Sequence, residues 1–304
     1  MSRVLVTGGA GFIGSHLVKQ LVASGHDVGT LIRPDTSLEK LEPLARELRI
    51  FRGDVADSSD VVAKLGDWRP ETCAHLAWYA EPRTYLQSPE NVRHLTTSLS
   101  LVARLSDAGC SRFVITGTCA EYAPSPSRLA EDSPLGPETL YAACKLALQM
   151  VTAQLAAQSG TQVAWARIFH LYGPFEYEQR LVPAVIHRLL ANEEFAATSG
   201  EQTRDYLHVS DVGSALRTLV DSRVDGIFNV CSGREVTVRQ VIETIAETLG
   251  RPGKVRFGAV ASRAWDPPYI VGENARLVRE GWAPRYDLRT GLAQTIEWWR
   301  SREC

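Results

Sequence analysis

The sequence predicts an α/β fold, a doubly wound parallel sheet with a smaller α/β C-terminal lid. Three observations predict it. Short apolar runs alternate with amphipathic helical stretches over the first 170 residues, a glycine-rich turn joins the first run to the first helix, and the alternation breaks after Gly173-Pro174.

Arg3 to Val6 reads as the first strand. The turn Thr7 to Gly14 follows, then a helix with Ile13, Leu17, Val18, Leu21 and Val22 on one face, and Gly25 stands where the chain leaves that helix. Val28 to Ile32 closes one βαβ unit. Arg49 to Phe51, Ala74 to Ala77, Arg112 to Ile115 and Val163 to Ile168 read as further strands, with helices through Leu99 to Leu105 and over Leu140 to Ala157. Strands alternating with helices give a parallel sheet covered on both faces. Beyond Gly173-Pro174, helices are expected near Val182 to Ala191 and Val212 to Val220. Another covers Val238 to Leu249, where Thr237 and Gln240 make a capping box and Gly250 with Pro252 ends the helix. The remainder is loop-rich as far as a final helix carrying Trp298-Trp299. With no long linker, the last third reads as a lid packed on the sheet: residues 1–170 plus about 204–230 form the sheet domain, and about 171–203 plus 231–304 the lid.

Composition excludes several functions. The chain has 304 residues, 44% hydrophobic and 22% charged, with a formal charge of −2 that leaves no basic excess for a nucleic-acid polymer. Apolar runs fall short of the ~20 residues that span a bilayer, and the N-terminus runs into a strand pattern without a signal peptide, so a cytoplasmic protein with no membrane partner is expected. The six cysteines show no CxxC pair and no histidine pair has zinc spacing, so no metal is expected.

The chemistry sits in three motifs. Gly8, Gly11 and Gly14 recur every third residue between the first strand and the first helix. One glycine permits the tight turn, one lets backbone approach a pyrophosphate, and one allows close contact of helix and strand, with the phosphate on the helix N-terminus. Tyr141 and Lys145 stand four apart on one helix face, and the ammonium is expected to favour the phenolate and lower the Tyr141 pKa. Thr116-Gly117-Thr118 ends the preceding strand. All three motifs converge on the carboxyl edge of one sheet.

On these residues the chain resembles the extended short-chain dehydrogenases/reductases, and more closely their nucleotide-sugar branch of epimerases, dehydratases and 4-ketoreductases. The resemblance rests on Thr7 to Gly14, Gly53-Asp54, Thr116 to Tyr122, Tyr141 to Lys145, Arg167 to Pro174, Gln202 to Val209 and Gly281 to Pro284, and covers nearly the whole chain. It implies a Rossmann fold, an NAD(P) cofactor and a nucleotide-sugar substrate. By that resemblance Tyr141 exchanges a proton at the sugar carbonyl, Lys145 binds the nicotinamide ribose and Thr118 bonds the reacting oxygen. The cofactor would lie on Gly8, Gly11, Phe12, Ile13, Gly14, Arg33, Asp54, Val55, Leu76 and Ala77 together with Tyr141 and Lys145, Asp54 contacting the adenine. Thr118, Cys119, His170, Arg180, Arg204 and Arg263 would meet the substrate, Arg204 gripping its diphosphate. Asp266, Trp78, Tyr79 and Arg83 are further pocket candidates.

Dehydratases of this branch place Asp-Glu or Ser-Glu directly after the active-site Thr, whereas this chain has Cys119-Ala120; Glu121, one place later, is expected to point away on an extended segment. The expected reaction is reduction of an NDP-4-keto-6-deoxyhexose at C4 with Tyr141 as acid. A 4-epimerase with tightly held NAD is the alternative, and a non-catalytic dinucleotide-binding regulator stands behind both. The second strand ends Ile32-Arg33 where NAD-binding members offer Asp to the ribose 2′-OH, so NADP(H) is expected over NAD(H). His170 and His94 stand where relatives usually carry Asn, with Asn91 one turn before His94. The resemblance also implies a homodimer through the helix bearing Tyr141, using Leu140, Leu146 and Met150.

Overall fold

Seven parallel strands make the central sheet of the computed structural model, which describes residues 1–261 and 266–303. They are β1 (Arg3–Thr7), β2 (Asp27–Ile32), β3 (Leu48–Arg52), β4 (Thr72–His75), β5 (Arg112–Thr118), β6 (Gln162–Ile168) and a late strand, Gly226–Val230. Across the sheet the order is Gly226–Val230, β6, β5, β4, β1, β2, β3. The order reverses between β1 and β4. Doubly wound sheets bind ligands at such a reversal, at the carboxyl ends of the strands.

Period-two alternation divides the core. Val4 and Val6 of β1 and Val114 of β5 face a cluster with Leu17, Val18 and Leu21 of α1 (Phe12–Ala23) and Leu216 and Leu219 of α6 (Val209–Ser222). Leu5, Phe113 and Ile115 face the other side. There they pack with Val61 of α2 (Ser58–Leu65), Leu101 and Leu105 of α3 (Glu90–Asp107) and Leu148 of α4 (Leu140–Ser159). Among the described residues α4 is the one helix long and apolar enough to cross a membrane by length and composition. Here it is docked instead, with Ala142, Cys144, Lys145, Leu148 and Thr152 buried.

The lid has its own core, in which Val185 and Leu189 of α5 (Leu181–Leu190), Val241 and Ile245 of α7 (Val238–Thr248) and Leu292 and Ile296 of α9 (Leu288–Glu303) meet. The capping box of α7 forms as expected: Gln240 N donates to Thr237 Oγ1 at 3.1 Å, and Thr237 N donates to Gln240 Oε1 at 2.8 Å. A short helix, α8 (Ala275–Arg279), and several two- or three-residue strands complete the lid region. One of these, Thr203–Arg204, pairs with both Val236–Thr237 and Tyr269–Ile270 and so fixes Arg204.

Candidate active site

The glycine turn is shaped for backbone contact. Gly8 takes φ +71°, and a Cβ on Gly14 would stand 2.1 Å from Gly8 O, so helix and turn touch through bare backbone. Gly11 caps α1 without any side-chain bond, and no acidic residue occupies the first turn. The helix N-terminus thus keeps its positive end for an anion. Beside the turn, Leu76 N and Ala77 N donate to Thr7 Oγ1, each at 3.2 Å, and a Cβ on Gly8 would meet Ala77 N at 3.0 Å. Leu76 and Ala77 were expected at the end of a strand. They form a ledge past β4 instead, because their amides turn to Thr7.

That ledge rests on a neutral histidine. Thr7 Oγ1 accepts two amides and is left to donate its own hydrogen to His75 Nδ1 at 2.8 Å, so His75 Nε2–H faces Ser98 Oγ at 2.8 Å. Burial pulls the His75 pKa down to about 3, helped by Lys145, which agrees with an uncharged ring.

At the end expected to take the adenosine, Arg33 is exposed just past β2; its carbonyl accepts from Thr36 N at 3.1 Å, while its side chain has no hydrogen bond or ion pair among the described residues. Arg52 stands opposite Ile32 on β3, its Nη1 donating to Pro34 O at 2.7 Å, so a second guanidinium flanks the same loop. Asp54 and Val55 follow β3, with Ala56 N donating to Asp54 Oδ1 at 2.9 Å. Phe12 and Ile13, half-buried, open α1.

The reacting groups gather over the ends of β5 and α4. Thr139 caps α4, its side chain accepting from Ala142 N at 3.2 Å, which places Tyr141 in the first turn and Lys145 one turn deeper. Lys145 is buried, its Nζ donating to Thr116 O at 2.8 Å and lying 4.0 Å from the Trp78 ring centroid. Burial brings its pKa down to about 7, against the pull of Glu121. The Tyr141 ring lies against Tyr85 at 5.0 Å and Trp78 at 6.5 Å. Its pKa moves up, through burial and then Tyr85, with a hydrogen bond to Thr118 opposing. This corrects the expected lowering: Lys145 turns its ammonium to a carbonyl and an indole face, and desolvation of the phenol prevails.

Thr118 is supported from below. Residues 119–121 form a single 3₁₀ turn, not an extended segment, with Thr118 and Glu121 making a capping box. Glu121 does point away from the cleft, although for that reason and not through strand parity. Its Oε1 accepts from Thr118 N at 2.8 Å, and its Oε2 from Arg167 Nε at 2.7 Å and Trp165 Nε1 at 3.1 Å, all buried. Cys119 follows Thr118, and burial followed by Asp205 pushes its thiol up to about 12. It is therefore a neutral group.

Substrate candidates line the lid side. Arg180, at the head of α5, stacks over Tyr85 at 5.1 Å and has no ion pair among the described residues. His170 lies 5.8 Å from Tyr206, with its Nδ1 buried and unpartnered; burial and then Arg204 take its pKa down to about 3. Arg204 is buried and committed to Thr203 O at 2.9 Å and Asp266 Oδ1 at 2.6 Å, so Asp266 is its counter-ion. Arg263 lies outside the described residues. Tyr79 is engaged with Thr84, while Trp78 contacts both catalytic candidates. Asn91 ties the 78–88 loop, donating to Tyr85 O at 2.6 Å and accepting from Trp78 Nε1 at 2.9 Å. His94 stacks on Trp78 at 5.5 Å. Tyr85 was missed by sequence reasoning; the run of aromatic residues from Trp78 to Tyr85 was the available signal.

Fold and site together define a Rossmann protein of the short-chain dehydrogenase/reductase class, with a dinucleotide cradle facing a Thr-Tyr-Lys group. Residues 4–231 match the family model described as the NAD dependent epimerase/dehydratase family. The UDP-glucose 4-epimerase of Corynebacterium glutamicum is 30% identical, over 95% of this chain and 93% of the relative. The structure of the Thermotoga maritima UDP-glucose 4-epimerase with UDP-glucose superposes with a TM-score of 0.90 at 26% identity, covering 99% of this chain and all of that one. MoeE5, in complex with UDP-glucuronic acid and NAD, superposes with a TM-score of 0.85 at 31% identity over 99% of both chains. The chain belongs to the NAD dependent epimerase/dehydratase family.

Proposed function

We propose that this protein reduces the C4 carbonyl of a nucleotide-linked 4-keto-6-deoxyhexose, drawing on NADP(H) in preference to NAD(H). The observation that carries this reading is the site beside Thr118: a protonated Tyr141 phenol is hydrogen-bonded to Thr118, and the next two residues are Cys119 and Ala120, where the family resemblance puts the carboxylates that dehydration needs. A neutral phenol is an acid ready to donate. In this reading the dinucleotide supplies hydride to C4, Thr118 positions the carbonyl oxygen, and the Tyr141 hydroxyl gives it a proton. In this reading Lys145, anchored on Thr116 O, contacts the nicotinamide ribose. The glycine cradle fits the pyrophosphate, and Arg33 with Arg52 supports a 2′-phosphate where no carboxylate ends β2.

NADPH oxidation on adding an NDP-4-keto-6-deoxyhexose tests this, with one reduced sugar formed per NADPH consumed. Interconversion of C4 epimers without net cofactor use would replace it by the second reading, a 4-epimerase. The 30% identity to a UDP-glucose 4-epimerase favours that alternative.

A further inference from the structure

Trp78 has no part in the proposed reaction, yet its ring meets two of the three side chains that do. Lys145 Nζ lies 4.0 Å from the indole centroid, and the Tyr141 ring packs edge-on at 6.5 Å.

The indole is tied at both ends. Its backbone follows the Leu76-Ala77 ledge, whose amides are held by Thr7 Oγ1. Its Nε1 donates to Asn91 Oδ1 at 2.9 Å, and Asn91, wholly buried, donates its own amide hydrogens to Tyr85 O at 2.6 Å and Ser88 O at 2.9 Å. His94 adds a tilted ring contact at 5.5 Å. Turning this half-buried indole away would strand the buried Asn91 oxygen, so the ring face that meets Lys145 is held in place.

Lys145 is the group that gains. An ammonium has three hydrogens to donate. Thr116 O takes one at 2.8 Å, and the electron-rich indole face attracts the charge from a second direction. Two contacts of different kinds thus set where the ammonium sits and which hydrogen is left for a ligand.

We infer that Trp78 is a positioning residue for Lys145: its indole face holds the ammonium against Thr116 O, so that the remaining hydrogen is preset for a hydroxyl of the dinucleotide ribose. The inference rests on the nicotinamide-dinucleotide reading of the cradle and deepens it, since a lysine oriented in advance loses less freedom on binding. The ring face does the holding, and the Nε1 bond orients the ring.

Two measurements on the full chain test this. With lysine labelled at Cε by carbon-13, the five lysines give five signals, and Lys145→Met identifies the one from Lys145. That assignment is needed because Lys19 and Lys40 also approach a ring, 5.4 and 5.7 Å from the Phe175 centroid. Without dinucleotide, the Lys145 Hε signal should be displaced upfield in the natural chain, stay displaced in Trp78→Phe and return to the ordinary lysine position in Trp78→Leu. Calorimetric titration with NADPH reads the consequence. Trp78→Leu should weaken binding about three- to tenfold, and Trp78→Phe by less than about threefold. Added to Lys145→Met, Trp78→Leu should change affinity by less than about twofold, because a residue that acts through Lys145 then has nothing left to position.

An undisplaced Lys145 signal in the natural chain, or losses that multiply in the double variant, overturns the role of Trp78. Equal losses in Trp78→Phe and Trp78→Leu would assign the effect to the Asn91 bond and overturn it as well. A natural chain that binds neither NADPH nor NADH overturns the dinucleotide reading itself, and the ribose partner falls with it, while the Lys145 signal still decides whether the indole holds the ammonium.

Discussion

Glu121 shows how one side chain can hold a site without entering it. Its carboxylate accepts from Thr118 N, Trp165 and Arg167 and is wholly buried. Removing it strands a buried guanidinium, so Glu121→Ala should cost about 3–5 kcal/mol of stability, measured by urea unfolding. In the proposed reaction Tyr141 is the proton donor. Tyr141→Phe should lower kcat by about 10²–10⁴ while dinucleotide affinity, measured by fluorescence titration, stays within a few-fold. Lys145 makes a pH prediction. Its folded pKa is about 7, below its ordinary 10.5, so across that window the unfolded chain binds a proton the folded chain lacks, and stability rises with pH. Lys145→Met should remove that rise, and the unfolding free energies of the two chains should diverge by up to about 1.4 kcal/mol per pH unit between pH 7 and 10. At this scale spacing pointed to the Tyr141 and Lys145 pair, the family resemblance added Thr118, and the structure brings the three together. Spacing could not reveal the Tyr141 shift, because desolvation depends on rings brought in from the distant 78–85 loop.

Among elements, the junction of β1 with α1 is the most constrained. A methyl group on Gly14 would collide with the Gly8 carbonyl, so Gly14→Ala must push the helix away from the turn. Dinucleotide binding should fall by at least about tenfold in equilibrium titration, with some loss of thermal stability. This junction was legible because glycine spacing, apolar strand and helical face agree locally. The strand thought to be Ala74 to Ala77 is Thr72–His75, since hydrogen bonding to Thr7 peels the last two residues off the sheet. The lid strands were not legible. Pieces of two residues, such as Thr203–Arg204, have no period to detect and exist only through partners distant in sequence. For α2, Asp57 does cap the helix, accepting from Asp60 N at 2.9 Å, but eight residues give a weak pattern.

For the molecule as a whole, strand order decides where chemistry can occur. The reversal between β1 and β4 sets the glycine cradle beside the Thr118, Tyr141 and Lys145 group, and the late return of Gly226–Val230 to β6 brings the lid loops across from them. The alternation of the first 170 residues foretold the sheet, but the pairing partner of a strand beyond residue 220 is settled by the packing of α6. Cofactor selection also belongs here, since Arg33 and Arg52 come from adjacent strands. Arg33→Ala should narrow any preference for NADPH over NADH by about tenfold, read from the two dissociation constants. The most direct test of the central claim follows NADPH absorbance in the purified chain supplied with an NDP-4-keto-6-deoxyhexose. Stoichiometric NADPH oxidation that disappears in Tyr141→Phe is the predicted result, and C4 epimerisation with no net consumption of reduced cofactor would contradict it.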